Sequence, residues 1–188
     1  MRTFLALDLD ETIRDRIVAA AQRSIGSMPG LRWTAPPNLH VTLQFLGDVT
    51  EDLLEHVCRL MTDVAAIIDP FDFVVKGVTC VPPGGDLRML RVGIQDPGGL
   101  MNVLHDELDL ALADLGLHEE ERGFAPHVTL ARVKSVVNQR AIRQAALLLA
   151  GEDFGTQHCK YVTAYTSQLT PDGPIYAPLA KSPLGGQN

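Results

Sequence analysis

The chain has 188 residues, of which 16 are Lys or Arg and 23 are Asp or Glu, so its formal net charge is −7. Its hydrophobic fraction of 46% and charged fraction of 21% are typical of a globular protein, and no stretch approaches the ~20 apolar residues of a membrane span. The acidic balance argues against a protein that binds along extended nucleic acid, since such binding relies on many Lys and Arg residues, but it is compatible with a small phosphate pocket.

The first half of the chain reads as strand, helix, strand, helix, strand. An apolar run at 4–9 indicates a buried strand, and Asp10 is a candidate N-cap for the helix that follows. Strict alternation at 40–46 predicts a half-buried strand. Thr50 can cap a second helix, which ends before a strand at 71–75.

The second half repeats this order. A strand is predicted near 87–94, and a helix opens after Asp96. A second alternating strand is predicted at 127–131. Asn138 can cap a further helix, and strand patterns return from Phe154 onward.

The spacing of these elements indicates an internal duplication. In both halves 30 residues separate the first helix signal from the histidine that begins the alternating strand, from Asp10 to His40 and from Pro97 to His127. Such a repeat predicts two related lobes, and equivalent residues of the two copies would face each other across a cleft.

We therefore predict a single domain over residues 1–188. Its lobe-like repeats cover about 1–85 and 86–170, and a C-terminal tail covers 171–188. The predicted fold is α/β (α+β), with two pseudo-symmetric β-α-β-α-β lobes around a central cleft.

The two alternating strands begin with the same four residues, His-Val-Thr-Leu, at 40–43 and at 127–130. Because strand side chains alternate, His and Thr project from one face while Val and Leu pack on the other. Packing explains the apolar pair but gives no reason to keep His and Thr on the open face. We therefore interpret four residues as a catalytic site: His40, Thr42, His127 and Thr129.

These four groups suit acid–base chemistry at a phosphate. Histidine titrates near pH ~6.5, so one ring can accept a proton from a nucleophile while the other donates one to a leaving group. Threonine hydroxyls suit the non-bridging phosphate oxygens. This combination points to in-line phosphoester hydrolysis without a metal, and the residues alone leave open which histidine is the acid.

A zinc site is the alternative for a histidine pair. A catalytic zinc usually has three protein ligands, and nothing acidic or sulfur-bearing recurs at the paired positions. The cysteines, Cys58, Cys80 and Cys159, are widely spaced without a CxxC pair, which predicts reduced thiols. Asp8 comes too early for the apolar core of a signal peptide, so we expect a cytoplasmic protein.

The two motifs and the segments around them resemble a known family. The segments are 2–8, Trp33, 38–47, 122–132, 167–169 and 173–176. They are similar to those of the 2H phosphoesterase superfamily, named for its two His-x-Thr-x motifs. The resemblance is specifically to its RNA 2′,3′-cyclic phosphodiesterase branch, the LigT-like or 2′-5′ RNA ligase family.

The resemblance implies a bilobal fold with antiparallel-rich sheets and hydrolysis of an RNA 2′,3′-cyclic phosphate end to a 2′-phosphate. It also implies weak, reversible 2′-5′ RNA ligation, no cofactor and no metal. By carry-over, His40 would be the proton donor and His127 the proton acceptor, while Thr42 and Thr129 would hold the phosphate. The expected partners are RNA 3′ ends or small nucleotides, with no membrane, and we expect a monomer.

Three further residues carry predictions from the resemblance. Arg132 matches an arginine of the family and is a candidate phosphate ligand, although strict alternation places it opposite His127 unless the strand bends near Ala131. Phe124 is a candidate for stacking on a base, with a core role as the alternative. Arg91 occupies a position at which relatives commonly carry a tryptophan.

Two other functions remain open from the sequence. The same site could act on a small cyclic nucleotide or on an ADP-ribose cyclic phosphate. A nucleotide-binding module without turnover is the other alternative, and the intact His and Thr pairs disfavour it. Local positive charge is expected from Arg88, Arg122 and Arg132, which predicts contact limited to the RNA terminus.

Overall fold

The structure is a computed structural model that describes residues 1–26, 28–117, 123–135, 138–171 and 173–186. Within these ranges it has nine strands and four α-helices. The helices are α1 (Glu11–Ser24), α2 (Glu51–Ile67), α3 (Leu100–Ala113) and α4 (Gln139–Leu147). The strands are β1 (Arg2–Asp8), β2 (Leu31–Trp33), β3 (His40–Asp48), β4 (Phe71–Val81), β5 (Met89–Gln95), β6 (His127–Val133), β7 (Asp153–Cys159), β8 (Tyr161–Thr170) and β9 (Gly173–Pro183).

These strands form one curled antiparallel sheet in the order β7-β4-β5-β6-β3-β1-β8-β9, with β2 paired to β6. The mixed α/β fold predicted from the sequence is confirmed. The strands that begin with the repeated tetrapeptide, β3 and β6, lie side by side at the centre and pair through Val41 and Val128. The fold therefore brings the two motifs together.

One strand from each repeat crosses to the other half of the sheet. From the first repeat β4 pairs with β5, and from the second repeat β8 pairs with β1. The order β4-β5-β6 on one side mirrors β8-β1-β3 on the other, as a duplication requires. The lobe boundaries predicted at 1–85 and 86–170 therefore do not describe the two halves of the sheet, because each half contains a strand from both repeats.

The predicted C-terminal tail is largely an edge strand. From Gly173 opposite Thr170 to Pro183 opposite Tyr161, β9 pairs along β8. The sequence pattern concealed this strand because prolines interrupt it at 174, 178 and 183. Proline lacks a backbone donor and is tolerated on an edge strand, where one side of the ladder is unpaired.

Helix signals were partly confirmed. Thr50 caps α2, since its side chain accepts a hydrogen bond from Leu53 N. Asp10 and Asn138 precede α1 and α4 without a side-chain cap bond. Asp96 accepts from Met101 N at 2.8 Å, and α3 begins after it at Leu100.

The apolar faces of the two central strands are buried in the core. Val41 and Val128 are fully buried, and Leu43 and Leu130 are almost fully so. This confirms the alternation predicted for both motifs. None of the helices in the described ranges has the length and apolar character needed to cross a membrane.

Candidate active site

A cavity of ≈ 670 Å³ opens over the polar face of the central strands. His40, Thr42 and Thr129 line it, together with residues of β1, β2, β8 and β9. His127 begins β6 next to Val128, which is paired with Val41, so the antiparallel register places Thr42 toward His127 and His40 toward Thr129. Positions 40 and 129 are therefore opposite each other across the two strands, as are positions 42 and 127.

Each histidine ring is oriented by a hydrogen bond to the backbone carbonyl of the residue two positions before it. His40 Nδ1 bonds the carbonyl of Asn38 at 2.7 Å, and His127 Nδ1 bonds the carbonyl of Ala125 at 2.8 Å. A carbonyl can only accept, so Nδ1 of each ring is assigned the hydrogen and Nε2 is the atom left for proton exchange. The matching geometry shows that the two repeats present their rings in the same way.

Asn38, whose carbonyl orients His40, is bonded through its side chain to β9. Asn38 Nδ2 donates to the carbonyl of Pro174 at 3.0 Å. On its other side His40 Nε2 is 3.0 Å from Thr42 Oγ1. The ring therefore contacts its own motif and, through Asn38, the final strand of the sheet.

Aromatic rings surround His40. The ring of Phe4 stacks on it at 4.9 Å between centroids, and Tyr176 meets it edge-on at 5.4 Å. Tyr165 stacks on Phe4 at 5.4 Å between centroids and on His40 itself at 6.4 Å. Burial in this cluster lowers the pKa of His40, the Asn38 carbonyl and the charge of Asp8 oppose that shift, and the charge of His127 adds to it.

Asp8 distinguishes the surroundings of the two histidines. It lies opposite His40 in the β1–β3 ladder and accepts hydrogen bonds from Tyr165 Oη at 2.7 Å and Thr163 Oγ1 at 2.9 Å. Lys181 Nζ lies 3.5 Å from Asp8 Oδ2, the oxygen that accepts from Thr163. Burial and the bond to Asp8 raise the pKa of Tyr165.

The equivalent position opposite His127 is Gly93. A Cβ there would meet the carbonyl oxygen of Lys76 at 2.7 Å, so the close backbone leaves no room for a side chain. Of the two histidines, His40 is therefore the one that has a carboxylate across the ladder.

A β-bulge turns Arg132 into the cavity. Ala131 pairs with Leu90 while Thr129 pairs with Arg91, so Leu130 is the extra residue of β6. Leu130 and Ala131 are both buried, alternation reverses, and Arg132 lines the cavity on the side of His127. This is the bend on which the sequence prediction for Arg132 depended.

The same bulge occurs in β3. Leu43 is the extra residue there, since Gln44 pairs with Leu5 and Thr42 pairs with Ala6. Phe45, five residues after His40, consequently faces the cavity with 64% of its surface exposed. Phe45 and Arg132 are thus counterparts in the two repeats.

Phe124, Arg91 and Arg88 are not among the residues that line the cavity. Phe124 stacks on His105 at 4.1 Å and packs against the core, which favours its core alternative over base stacking. Arg91 donates from Nε to Thr79 Oγ1 at 3.2 Å. Arg88 is absent from the cavity lining, and Arg122 lies outside the described residues.

Sequence reasoning missed two arginines of the cavity, Arg2 and Arg32. Arg2 begins the first segment that resembles the family, and Arg32 comes directly before Trp33, which also belongs to the resemblance. The resemblance therefore pointed to both positions, but nothing in the sequence assigned either arginine to a site. Across the described ranges, no cluster of three or more His, Cys, Asp or Glu side chains could hold a metal. The three cysteines are free thiols.

Comparison with known proteins identifies the class. The profile of the LigT like Phosphoesterase family matches residues 7–87 and 92–176. An RNA 2′,3′-cyclic phosphodiesterase of Methanocaldococcus jannaschii is 32% identical over 94% of this chain and 96% of its own length. One from Thermotoga maritima is 30% identical over 99% and 97%, respectively.

Solved structures share the fold. A crystal structure from Thermus thermophilus covers 100% of both chains at 27% identity, with a TM-score of 0.85. Escherichia coli LigT complexed with 3′-AMP covers 97% of both chains at 24% identity, with a TM-score of 0.78. The chain therefore belongs to the LigT-like phosphoesterases, which are 2H phosphodiesterases.

Proposed function

We propose that this protein hydrolyses 2′,3′-cyclic phosphate ends of RNA to 2′-phosphomonoesters by a metal-independent mechanism. The observation that carries the proposal is the pair of imidazoles on adjacent strands, each held by the same Nδ1–carbonyl bond and each accompanied by a threonine hydroxyl. The relatives named RNA 2′,3′-cyclic phosphodiesterase support this substrate. The exposed ring of Phe45 beside the motifs suits a nucleobase.

In the proposed mechanism the cyclic phosphate lies between the two rings. Nε2 of His127 accepts a proton from water as the water oxygen bonds to phosphorus. The bond from phosphorus to the 3′ oxygen breaks, and Nε2 of His40 protonates that oxygen. Thr42, Thr129 and Arg132 bind the non-bridging oxygens, where negative charge increases in the transition state.

The surroundings of His40 suit the role of proton donor. Burial lowers its pKa, which makes the protonated ring a stronger acid, while Asp8 across the ladder favours the protonated form. A bound phosphate anion between the rings acts in the same direction as Asp8. If the 5′ hydroxyl of a second RNA replaces water, the same proton transfers form a 2′-5′ linkage, so the proposal includes weak ligation.

A substrate panel tests the proposal. We expect turnover of RNA ending in a 2′,3′-cyclic phosphate, with a 2′-phosphate as the product, and unchanged rates in excess EDTA. Loss of activity in the chelator would contradict the metal-independent mechanism. Preference for an ADP-ribose cyclic phosphate or a small cyclic nucleotide would favour the second enzyme function, and tight binding without turnover would favour a binding module.

The pH dependence of kcat/KM should be bell-shaped, because activity requires one neutral and one protonated ring. On acidification activity falls when both rings are protonated, and the ring with the lower pKa sets this limb. Since burial lowers the pKa of His40, the acidic limb is expected below pH 6.5. The groups facing His40 are Asp8, His127, Tyr165 and Tyr176.

Replacing Asp8 by Asn should move the acidic limb to still lower pH. Tyr165 and Thr163 donate to different oxygens of Asp8, so the single amide oxygen of asparagine keeps one of these two bonds, and the substitution removes the charge that raises the pKa of His40. Asp48→Asn, at the exposed end of β3, is the matched control. A limb that stays in place or moves to higher pH in Asp8→Asn would contradict the assignment.

A further inference from the structure

Two arginines face each other beside the candidate active site. Arg32 of β2 and Arg132 of β6 are direct cross-strand partners, and both line the cavity. Like charges directly opposite each other in an antiparallel ladder are destabilising. In a chain whose net charge is −7, this pair concentrates positive charge at one position on the cavity wall.

Among the described residues, no carboxylate forms an ion pair with either arginine. The described residues that line the cavity include neither Asp nor Glu. On its other side Arg132 pairs with Met89 of β5, so neither cross-strand neighbour is acidic. Arg32 is half-buried, which reduces the screening of its charge by water. The site is therefore suited to an anion from outside the chain.

The position of the arginine pair relative to the two motifs indicates which anion the pair binds. Arg132 lies three residues beyond Thr129, on the order of 10 Å along the strand. Its side chain can extend back toward the terminal phosphate, but Arg32 lies one strand further out. The charge of Arg132 also acts on Tyr176 of β9, where it partly offsets the effect of burial on the tyrosine pKa. Along β6 the pair thus lies beyond Thr129, while the nearness of Arg132 to Tyr176, which meets His40 edge-on, keeps Arg132 within reach of the terminal phosphate.

We propose that Arg32 forms a second anion subsite, which binds the internucleotide phosphodiester preceding the terminal cyclic phosphate, and that Arg132 lies between the two phosphates and contacts both. This inference rests on the proposed function and specifies its substrate class as an RNA end of at least two nucleotides. The planar guanidinium group matches a phosphate through two parallel hydrogen bonds, which a neutral linkage cannot accept with the same strength. The acidic remainder of the surface limits contact with RNA further from the terminus.

The test compares two dinucleotides that end in a 2′,3′-cyclic phosphate. One has a normal phosphodiester linkage, and the other has an uncharged methylphosphonate at the same position. We expect kcat/KM to be about 10-fold or more higher for the charged linkage, the effect of one charge-assisted contact. In Arg32→Gln this ratio should fall toward one, and the slope of log kcat/KM against log salt should decrease by about one.

Two variants complete the comparison. Arg32→Lys retains the charge without the planar group and should give an intermediate ratio. Arg59→Gln, an exposed substitution in α2 outside the cavity, should keep the wild-type ratio. Thermal unfolding of each variant checks that β2 remains folded.

Equal kcat/KM values for the two dinucleotides in the wild-type protein would overturn the subsite, as would equal losses on both in Arg32→Gln. A higher kcat/KM for ADP-ribose cyclic phosphate than for the charged dinucleotide would overturn the internucleotide assignment, since a diphosphate would then be the second anion. Calorimetry with the two product dinucleotides, which end in a 2′-phosphate, compares their dissociation constants and so measures the preference for the charged linkage without turnover. Absence of turnover with a retained charge preference would therefore count against the proposed function and support the subsite.

Discussion

Replacing either motif histidine by alanine is expected to lower kcat on an RNA 2′,3′-cyclic phosphate by about 10²–10⁴-fold. His40→Ala removes the proposed donor to the 3′ oxygen, and His127→Ala removes the proposed acceptor from water. Initial rates at saturating substrate measure the effect. Because the two rings act on one transition state, the double variant should lose far less than the product of the single losses.

His56→Ala is the matched control for this pair, since His56 is exposed on α2 and bonds the carbonyl of Asp52 outside the cavity. Because His40 stacks on Phe4, thermal unfolding of His40→Ala separates a loss of chemistry from a loss of structure. Full activity in either motif variant would refute the acid–base roles of the pair.

A substrate with a p-nitrophenolate leaving group distinguishes acid from base. This leaving group departs without a proton, so such a phosphodiester should restore much of the rate lost in His40→Ala and little of that lost in His127→Ala. The opposite pattern of rescue would exchange the two roles. Either result leaves the location of the site unchanged, since both rings are presented by the same backbone contact.

The second large effect is expected at the threonines. Thr42→Val and Thr129→Val each replace a hydroxyl by a methyl group of similar size, and each should lower kcat by about 10²-fold, as loss of one donor to a developing negative charge does. Valine retains the β-branched shape that suits a strand, so the fold should persist. Rates at saturating substrate measure the loss, with Thr156→Val at an exposed position of β7 as the control.

The two threonine variants should differ in their pH dependence. Thr42 Oγ1 lies 3.0 Å from His40 Nε2, so its loss removes a hydrogen-bond partner of that ring and should shift the acidic limb. Thr129 Oγ1 instead contacts Met89 Sδ at 3.7 Å, and its loss should leave the limb in place. Wild-type kcat in both variants would show that the hydroxyls do not contact the reacting phosphate.

The two motifs show which structural features a local sequence pattern can predict. Strand alternation is a property of neighbouring residues, and it correctly placed His and Thr of each motif on the polar face and Val and Leu in the core. The matched spacing of the two copies predicted a duplication, and the mirrored strand order of the sheet is consistent with it. Thr50, whose cap bond is local, was likewise predictable.

The surroundings of the motifs depend on residues far apart in the chain. Asp8 and Tyr165 are separated by 157 positions, and the contact between them requires β1 and β8 to pair across the repeat boundary. Arg32 meets Arg132 because β2 joins β6. No local periodicity encodes these pairings, since they follow from the exchange of strands between repeats and from the packing of the completed sheet.

The net charge of −7, the repeated His-Val-Thr-Leu tetrapeptides and the α/β class were determined by the sequence alone, because residue type and alternation are local properties. Tertiary structure alone decided which arginines face the cavity and what surrounds His40. The physical reason is that one extra residue in a strand, such as Leu130, reverses the direction of every side chain after it. Whether a strand accommodates such a residue depends on its neighbours in the sheet.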